Sequence, residues 1–177
     1  MKKQQLKETI DFLKLKGFQN PEIGIVLGTG LGLLMNEIII EQEVAYTDIP
    51  HFPKATVEFH SGKLVYGILS GKKVIVMSGR FHLYEGYNHW EVTYGIRTME
   101  QLGINMLLIS NAAGAINLSY KKGDIMLIDD HLNLQGNSPL AFAEVGEFGE
   151  RFADMSEPYS KKINKVLKSI AKQNDIK

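Results

Sequence analysis

None of the 177 residues is a cysteine, which excludes a disulfide framework, a thiolate nucleophile and a cysteine-type zinc site. Neither sign of charge is in excess, since 20 Lys and Arg balance 20 Asp and Glu. A broad nucleic-acid or anionic-membrane surface needs a basic surplus, so no nucleic-acid or membrane partner is expected. A small anion site stays open, because two or three local donors suffice. The 5 histidines (His51, His60, His82, His89, His131) are scattered and include no His-x-x-x-His pair, so no metal is expected. Long apolar runs are also missing. The longest, Ile23 to Met35, is interrupted by glycines and a threonine and is too short to span a bilayer. Met1 to Lys16 mixes lysines with leucines and lacks the continuous apolar core of a signal peptide. A soluble, cytoplasmic protein is the expectation.

What is present is ordinary for a globular chain, with 44% hydrophobic and 23% charged residues. The length suits a single α/β domain over residues 1–177. Leu6, Ile10 and Leu13 recur at helical spacing and predict a helix over residues 2–16, stopped by Gly17. Ile23 to Leu27 reads as a strand buried on both faces. It runs into Gly28-Thr29-Gly30-Leu31-Gly32, a turn whose bare N–H groups and threonine hydroxyl could cradle a phosphate. The spacing matches neither the dinucleotide nor the P-loop fingerprint, so a plain tight connection is the competing reading.

Residues 44–60, with Pro50 and Pro53, read as a loop. Leu64 to Leu69 and Lys73 to Ser78 read as two strands joined by a hairpin at Ser70-Gly71-Lys72. Asn88 followed by Glu91 is a capping box for a helix over 89–102. Further strands are expected over 104–109 and 124–128, and a helix from about Ser160. Asp129-Asp130-His131 reads as a polar turn in preference to a metal cluster, having no further ligand at usable spacing. The long polar segment 133–158 has the length of a loop that binds or closes over something. Strand–helix alternation with an internal hairpin predicts an α/β fold with a mixed, partly parallel central sheet flanked by helices. In such sheets ligands gather beyond the carboxyl ends of the strands. Thr29, the segment Arg80 to Tyr84 and the segment Asn111 to Gly114 all fall at such ends. Arg80, His82 and Tyr84 alternate, so an extended backbone would place a guanidinium, an imidazole and a phenol on one side. That trio suits an oxyanion beside a hydroxylated ring.

Four stretches together resemble the purine nucleoside phosphorylases of the homotrimeric class. They are residues 27–32, Phe59-His60-Ser61-Gly62-Lys63-Leu64-Val65, Gly79-Arg80-Phe81-His82-Leu83-Tyr84-Glu85-Gly86-Tyr87 and Asn111-Ala112-Ala113-Gly114. The resemblance implies a pentosyltransferase that splits a purine ribo- or deoxyribonucleoside with inorganic phosphate as co-substrate, giving free purine and pentose 1-phosphate, without metal or organic cofactor. It implies that Thr29, His60, Arg80, Phe81, His82 and the backbone at Ala112 hold phosphate, with Arg80 and His82 as the catalytic pair. Tyr84 is implied at the ribose, and Ala112, Ala113 and Gly114 along the purine. Phe148 resembles the phenylalanine lent to a neighbouring subunit in a homotrimer. Members of that family continue past this chain's last residue and carry there the groups that read the base. The domain is therefore expected to be incomplete at its C-terminal end and, alone, to lack substantial phosphorolysis. A 5′-methylthioadenosine phosphorylase is the alternative with the same chemistry. A non-catalytic phosphate- or nucleoside-binding relative is the alternative of a different class.

Overall fold

The computed structural model describes residues 1–54 and 62–176, in two compact units, Met1–Ala112 and Ala113–Lys177.

The first unit is built on a five-stranded sheet. In chain order its elements are helix α1 (Lys2–Leu15) and strands β1 (Ile23–Val26), β2 (Ile39–Ala45), β3 (Lys63–Leu69) and β4 (Lys72–Ser78). Helix α2 (His89–Leu102) and strand β5 (Met106–Ile109) complete it. The strands lie in the order β2-β3-β4-β1-β5. β1 is parallel to both β4 and β5, while β2-β3-β4 is antiparallel. The sheet is mixed for the reason expected, since a hairpin sits inside a parallel framework. The hairpin's two loop residues, Ser70 and Gly71, have φ of 50° and 76°. Positive φ at both positions matches the right-handed twist of the flanking strands.

β1 is an interior strand, paired with β4 and β5, and its apolar run is buried as predicted. Ile25, Leu27, Val65, Val74 and Val76 form a core on one face, with Ile38 closing over it. The helices lie on the other face, where Thr9 of α1 is fully buried. Its hydroxyl bonds the Tyr94 hydroxyl of α2 at 2.8 Å and donates to the Pro50 carbonyl at 2.7 Å. Burial raises the pKa of Tyr94 above its ordinary value. α2 starts at the predicted capping box, where Asn88 Oδ1 accepts from Glu91 N–H and Glu91 Oε2 from Asn88 N–H.

Three expectations are corrected. Residues 39–45 form β2, so the segment read as a loop from 44 begins inside a strand. β2 is an edge strand with exposed Glu41 and Glu43, and charge on an edge hides the usual apolar alternation. β5 starts at Met106 instead of Ile104, because Ile104 N–H turns back to the Met99 carbonyl and closes α2. Residues 124–128 form no strand. Ile125 and Met126 are 69% and 57% exposed, and no neighbouring strand pairs with them among the described residues. An apolar run becomes a strand only by pairing.

The second unit is irregular apart from a 3₁₀ turn (Ala143–Glu147) and helix α3 (Lys161–Gln173). Ser160 caps α3, its hydroxyl accepting from Ile163 N–H at 3.3 Å. Asp129 anchors the helix, accepting from Asn164 Nδ2 at 2.8 Å and Lys168 Nζ at 2.9 Å. Those two bonds hold its carboxyl below the usual carboxylate range. Asp129 thus has a structural job.

Candidate anion site at the strand tips

β1, β4 and β5 run parallel, so their carboxyl ends lie side by side. Beyond β1, Gly28 to Leu31 make a tight turn closed by Leu31 N–H to the Gly28 carbonyl at 3.2 Å. Gly30 sits at φ 90°, the third-position geometry of a type II turn, which glycine adopts without strain. Gly28 is glycine for another reason. A Cβ there would lie 2.6 Å from the Ser110 carbonyl oxygen and 2.8 Å from Asn111 Cα. The chain leaving β5 presses directly on the chain leaving β1. Thr29, at the turn's crest, is exposed.

Beyond β4, Gly79 turns with φ 101° and its carbonyl accepts from the Tyr46 hydroxyl at 2.7 Å. Burial pushes the Tyr46 phenol far above its usual range, so it stays a donor. Arg80 follows. Its Nη1–H donates to the Ser110 carbonyl at 2.8 Å, and its Nε–H donates to His82 Nε2 at 3.0 Å. A guanidinium has five N–H groups. Two are spent inside the protein to aim the fork, and the others have no partner among the described residues.

His82 accepts from Arg80 at Nε2, so its Nδ1 carries the proton and donates to Glu85 Oε1 at 2.5 Å. Glu85 Oε1 also accepts from His82 N–H at 3.0 Å. The His82 and Glu85 side chains are 28% and 5% exposed. The backbone is not extended throughout, since Leu83–Glu85 is a 3₁₀ turn. That turn carries Tyr84 back over His82, with the rings stacked 4.6 Å apart at 15°. Tyr84 is 81% exposed, so its phenol is open to a ligand. Arg80, His82 and Tyr84 therefore do sit together, by a curl of the chain and not by strand alternation.

Phe81 points the other way. Its ring is 3% exposed and packs on Tyr46, Phe52 and Tyr87, so only its backbone is on offer to an anion. Ala112 closes the first unit, exposed, with its carbonyl accepting from Asn111 Nδ2 at 3.1 Å. Ala113 and Gly114 open the second unit, also exposed. Phe148 ends the 3₁₀ turn of that unit, its ring 5.8 Å from that of Phe142. His60 lies outside the described residues.

Two residues of this region were missed in the sequence. Glu85 is visible in hindsight as a carboxylate three positions after a histidine, the spacing one turn brings together. Ser110 carried no signal beyond being a small hydroxyl residue at a strand tip. It is nonetheless where β1 and the Arg80 segment meet, since Gly28 N–H donates to its Oγ at 2.9 Å.

Residues 22–177 match the family described as the phosphorylase superfamily. The chain is 47% identical over 176 residues to purine nucleoside phosphorylase 1 of Geobacillus stearothermophilus, covering 99% of this chain and 64% of that protein. It is 41% identical over 170 residues to the purine nucleoside phosphorylase of Bos taurus, covering 94% and 59%. A crystal structure of isoform 2 of the Schistosoma mansoni purine nucleoside phosphorylase, in complex with cytosine and ribose-1-phosphate, superposes with a TM-score of 0.88. It is 41% identical and is matched over 97% of this chain and 61% of that one. A second Schistosoma mansoni structure, with acetate, gives a TM-score of 0.90 at 40% identity, over 97% and 64%. The chain thus spans 59–64% of the length of these relatives. With its mixed sheet and with tips arranged around Ser110, this chain belongs to the phosphorylase superfamily.

Proposed function

We propose that the strand-tip site binds inorganic phosphate and serves the phosphorolysis of purine ribo- or deoxyribonucleosides to free purine and pentose 1-phosphate. The observation that carries the reading is the shared anchor. The glycine turn and the Arg80 fork, two kinds of anion donor from distant parts of the sequence, are both fastened to Ser110. The names of the relatives supply the substrate class.

The chemistry suits the residues. The C1′–N bond of the nucleoside breaks with its electron pair passing to the purine, which takes up the proton that hydrogen phosphate gives up on bonding to C1′. Positive charge builds on the sugar, and a phosphate oxygen then bonds to C1′. A phosphate dianion held under the sugar stabilises that charge before it attacks. Arg80 binds it through the N–H groups not used internally, and Thr29 adds a hydroxyl and the turn's amides. His82, with Nδ1 on Glu85 and Nε2 on Arg80, holds the Arg80 fork toward the anion, and Tyr84 offers its exposed phenol to the ribose. Preorganised donors of this kind act without reorganising during reaction. The remaining expected roles belong to the same proposal: His60 and the backbone at Phe81 and Ala112 on phosphate, and Ala112, Ala113 and Gly114 along the purine. Phe148 reaches a neighbouring subunit of a homotrimer. So do the absence of any metal or organic cofactor and a cytoplasmic location; no helix among the described residues is long and apolar enough to cross a membrane.

The test is a substrate panel of inosine, adenosine and 5′-methylthioadenosine, with and without phosphate, run on the protein and followed by base release. Phosphate-dependent release from inosine or adenosine is expected where these residues are joined to a segment that supplies the base-reading groups, and little release is expected from the 177 residues alone. Preferential turnover of methylthioadenosine would replace the reading, and base release independent of phosphate would overturn it.

A further inference from the structure

Ser110 is the first residue beyond β5 and makes four bonds there. Its N–H donates to the Val26 carbonyl at 3.0 Å, completing the ladder to β1. Its hydroxyl donates to the same carbonyl at 3.2 Å and accepts from Gly28 N–H at 2.9 Å. Its carbonyl accepts from Arg80 Nη1 at 2.8 Å. One residue therefore touches β1's last residue, the turn that follows it, and the guanidinium beyond β4. The hydroxyl's single O–H is spent on the Val26 carbonyl and one of its two lone pairs on Gly28 N–H, so it has no proton to offer an anion, which suits a positioning group more than one that contacts a ligand.

We infer that Ser110 is the positioning residue of the anion site, its hydroxyl fixing the Gly28–Gly32 turn at the distance from Arg80 at which both hold one phosphate. The inference rests on the phosphate-binding reading above and deepens it. The bonds divide cleanly. The Arg80 anchor is a backbone carbonyl and survives any side-chain change, whereas the grip on Gly28 depends on the hydroxyl alone. Without that grip, the Gly28 N–H loses its partner and the turn carrying Thr29 is released at its first residue. Binding phosphate then has to order the turn, a cost that the intact site does not meet.

The experiment is calorimetric titration of inorganic phosphate into the unsubstituted protein and into Ser110→Ala, Ser110→Thr and Ser110→Cys, with thermal unfolding measured on each. Ser110→Ala is expected to weaken phosphate binding about fivefold, the loss of one hydrogen bond's net worth. Ser110→Thr, which keeps the hydroxyl, stays within about twofold of the unsubstituted protein, half the log-scale effect of that bond. Ser110→Cys fills the space with a weak acceptor and weakens binding as alanine does, so it answers the question if the alanine variant fails to fold. A purely structural serine would lower the unfolding temperature and leave the phosphate affinity untouched, and that result overturns the inference. Equal weakening in the alanine and threonine variants overturns it too. If the unsubstituted protein binds no phosphate, the underlying reading fails and takes this inference with it, a result distinct from the others.

Discussion

Replacing Arg80 with alanine is expected to weaken inorganic phosphate binding about 100-fold, the scale of losing charge-assisted bonds to a dianion. Three things go at once. The fork that faces the anion is lost, the Ser110 carbonyl loses its donor, and His82 Nε2 loses the N–H that sets the ring's tautomer. Arg80→Lys separates charge from geometry. A lysine keeps the positive charge but has no planar fork, and it cannot reach the carbonyl, the imidazole and a phosphate together. It is expected to recover about tenfold of that roughly 100-fold loss, leaving binding roughly tenfold weak. Titration calorimetry on the two variants reads both effects. Equal affinity in the alanine variant and the unsubstituted protein would remove Arg80 from the site.

Gly28→Ala is expected to be more damaging than Gly30→Ala, although only Gly30 has a left-handed backbone. At Gly28 the new methyl would meet the backbone of Ser110 and Asn111, at 2.6 and 2.8 Å. Backbone cannot rotate away as a flexible side chain can, so the tips of β1 and β5 must separate. Overpacking of that kind costs about 1–3 kcal/mol, and the separation also breaks the Gly28 bond to Ser110. At Gly30 a Cβ meets nothing within 4 Å, and the cost is that of holding alanine at φ 90°, about 1–2 kcal/mol. Urea unfolding gives the stabilities, and phosphate titration shows the difference that matters. Gly28→Ala loses phosphate binding at a temperature where it is still folded, whereas Gly30→Ala keeps most of it. Intact binding in Gly28→Ala would mean that the two tips are not held in register for the anion.

The parts of the fold that were legible in the sequence are those with a local cause. α2 announced itself through Asn88 and Glu91, which satisfy one another's backbone within a single turn. The β3–β4 hairpin did so through Gly71, which takes positive φ without strain, beside Ser70 in the same short turn. β1 was readable because a strand covered on both faces reads as a continuous apolar run. β2 was hidden by its exposed, charged edge. Residues 124–128 misled in the opposite sense, since an apolar run says nothing of whether a partner strand exists.

The candidate site divides along the same line. Arg80, His82 and Tyr84 stood out by chemistry, and the structure gathers them. The means was misjudged, because the 3₁₀ turn over Leu83–Glu85 depends on Glu85 reaching back to His82 N–H. Thr29 was legible as a glycine-turn hydroxyl. What could not be read is how that turn finds Arg80. The link passes through Ser110, 82 residues from Gly28 and 30 from Arg80, and no local pattern encodes a contact of that range. Phe81 lies between two site residues in the chain, yet its ring belongs to the core, because neighbours in such a segment face opposite ways.

That tips from three strands form one phosphate site is tested most directly by a crystal structure of the protein grown with inorganic phosphate. The expected result is a phosphate whose oxygens lie within hydrogen-bond distance of the Arg80 guanidinium and of Thr29 together. A phosphate bound elsewhere, or one that touches Arg80 while the Gly28–Gly32 turn stays out of reach, would contradict it.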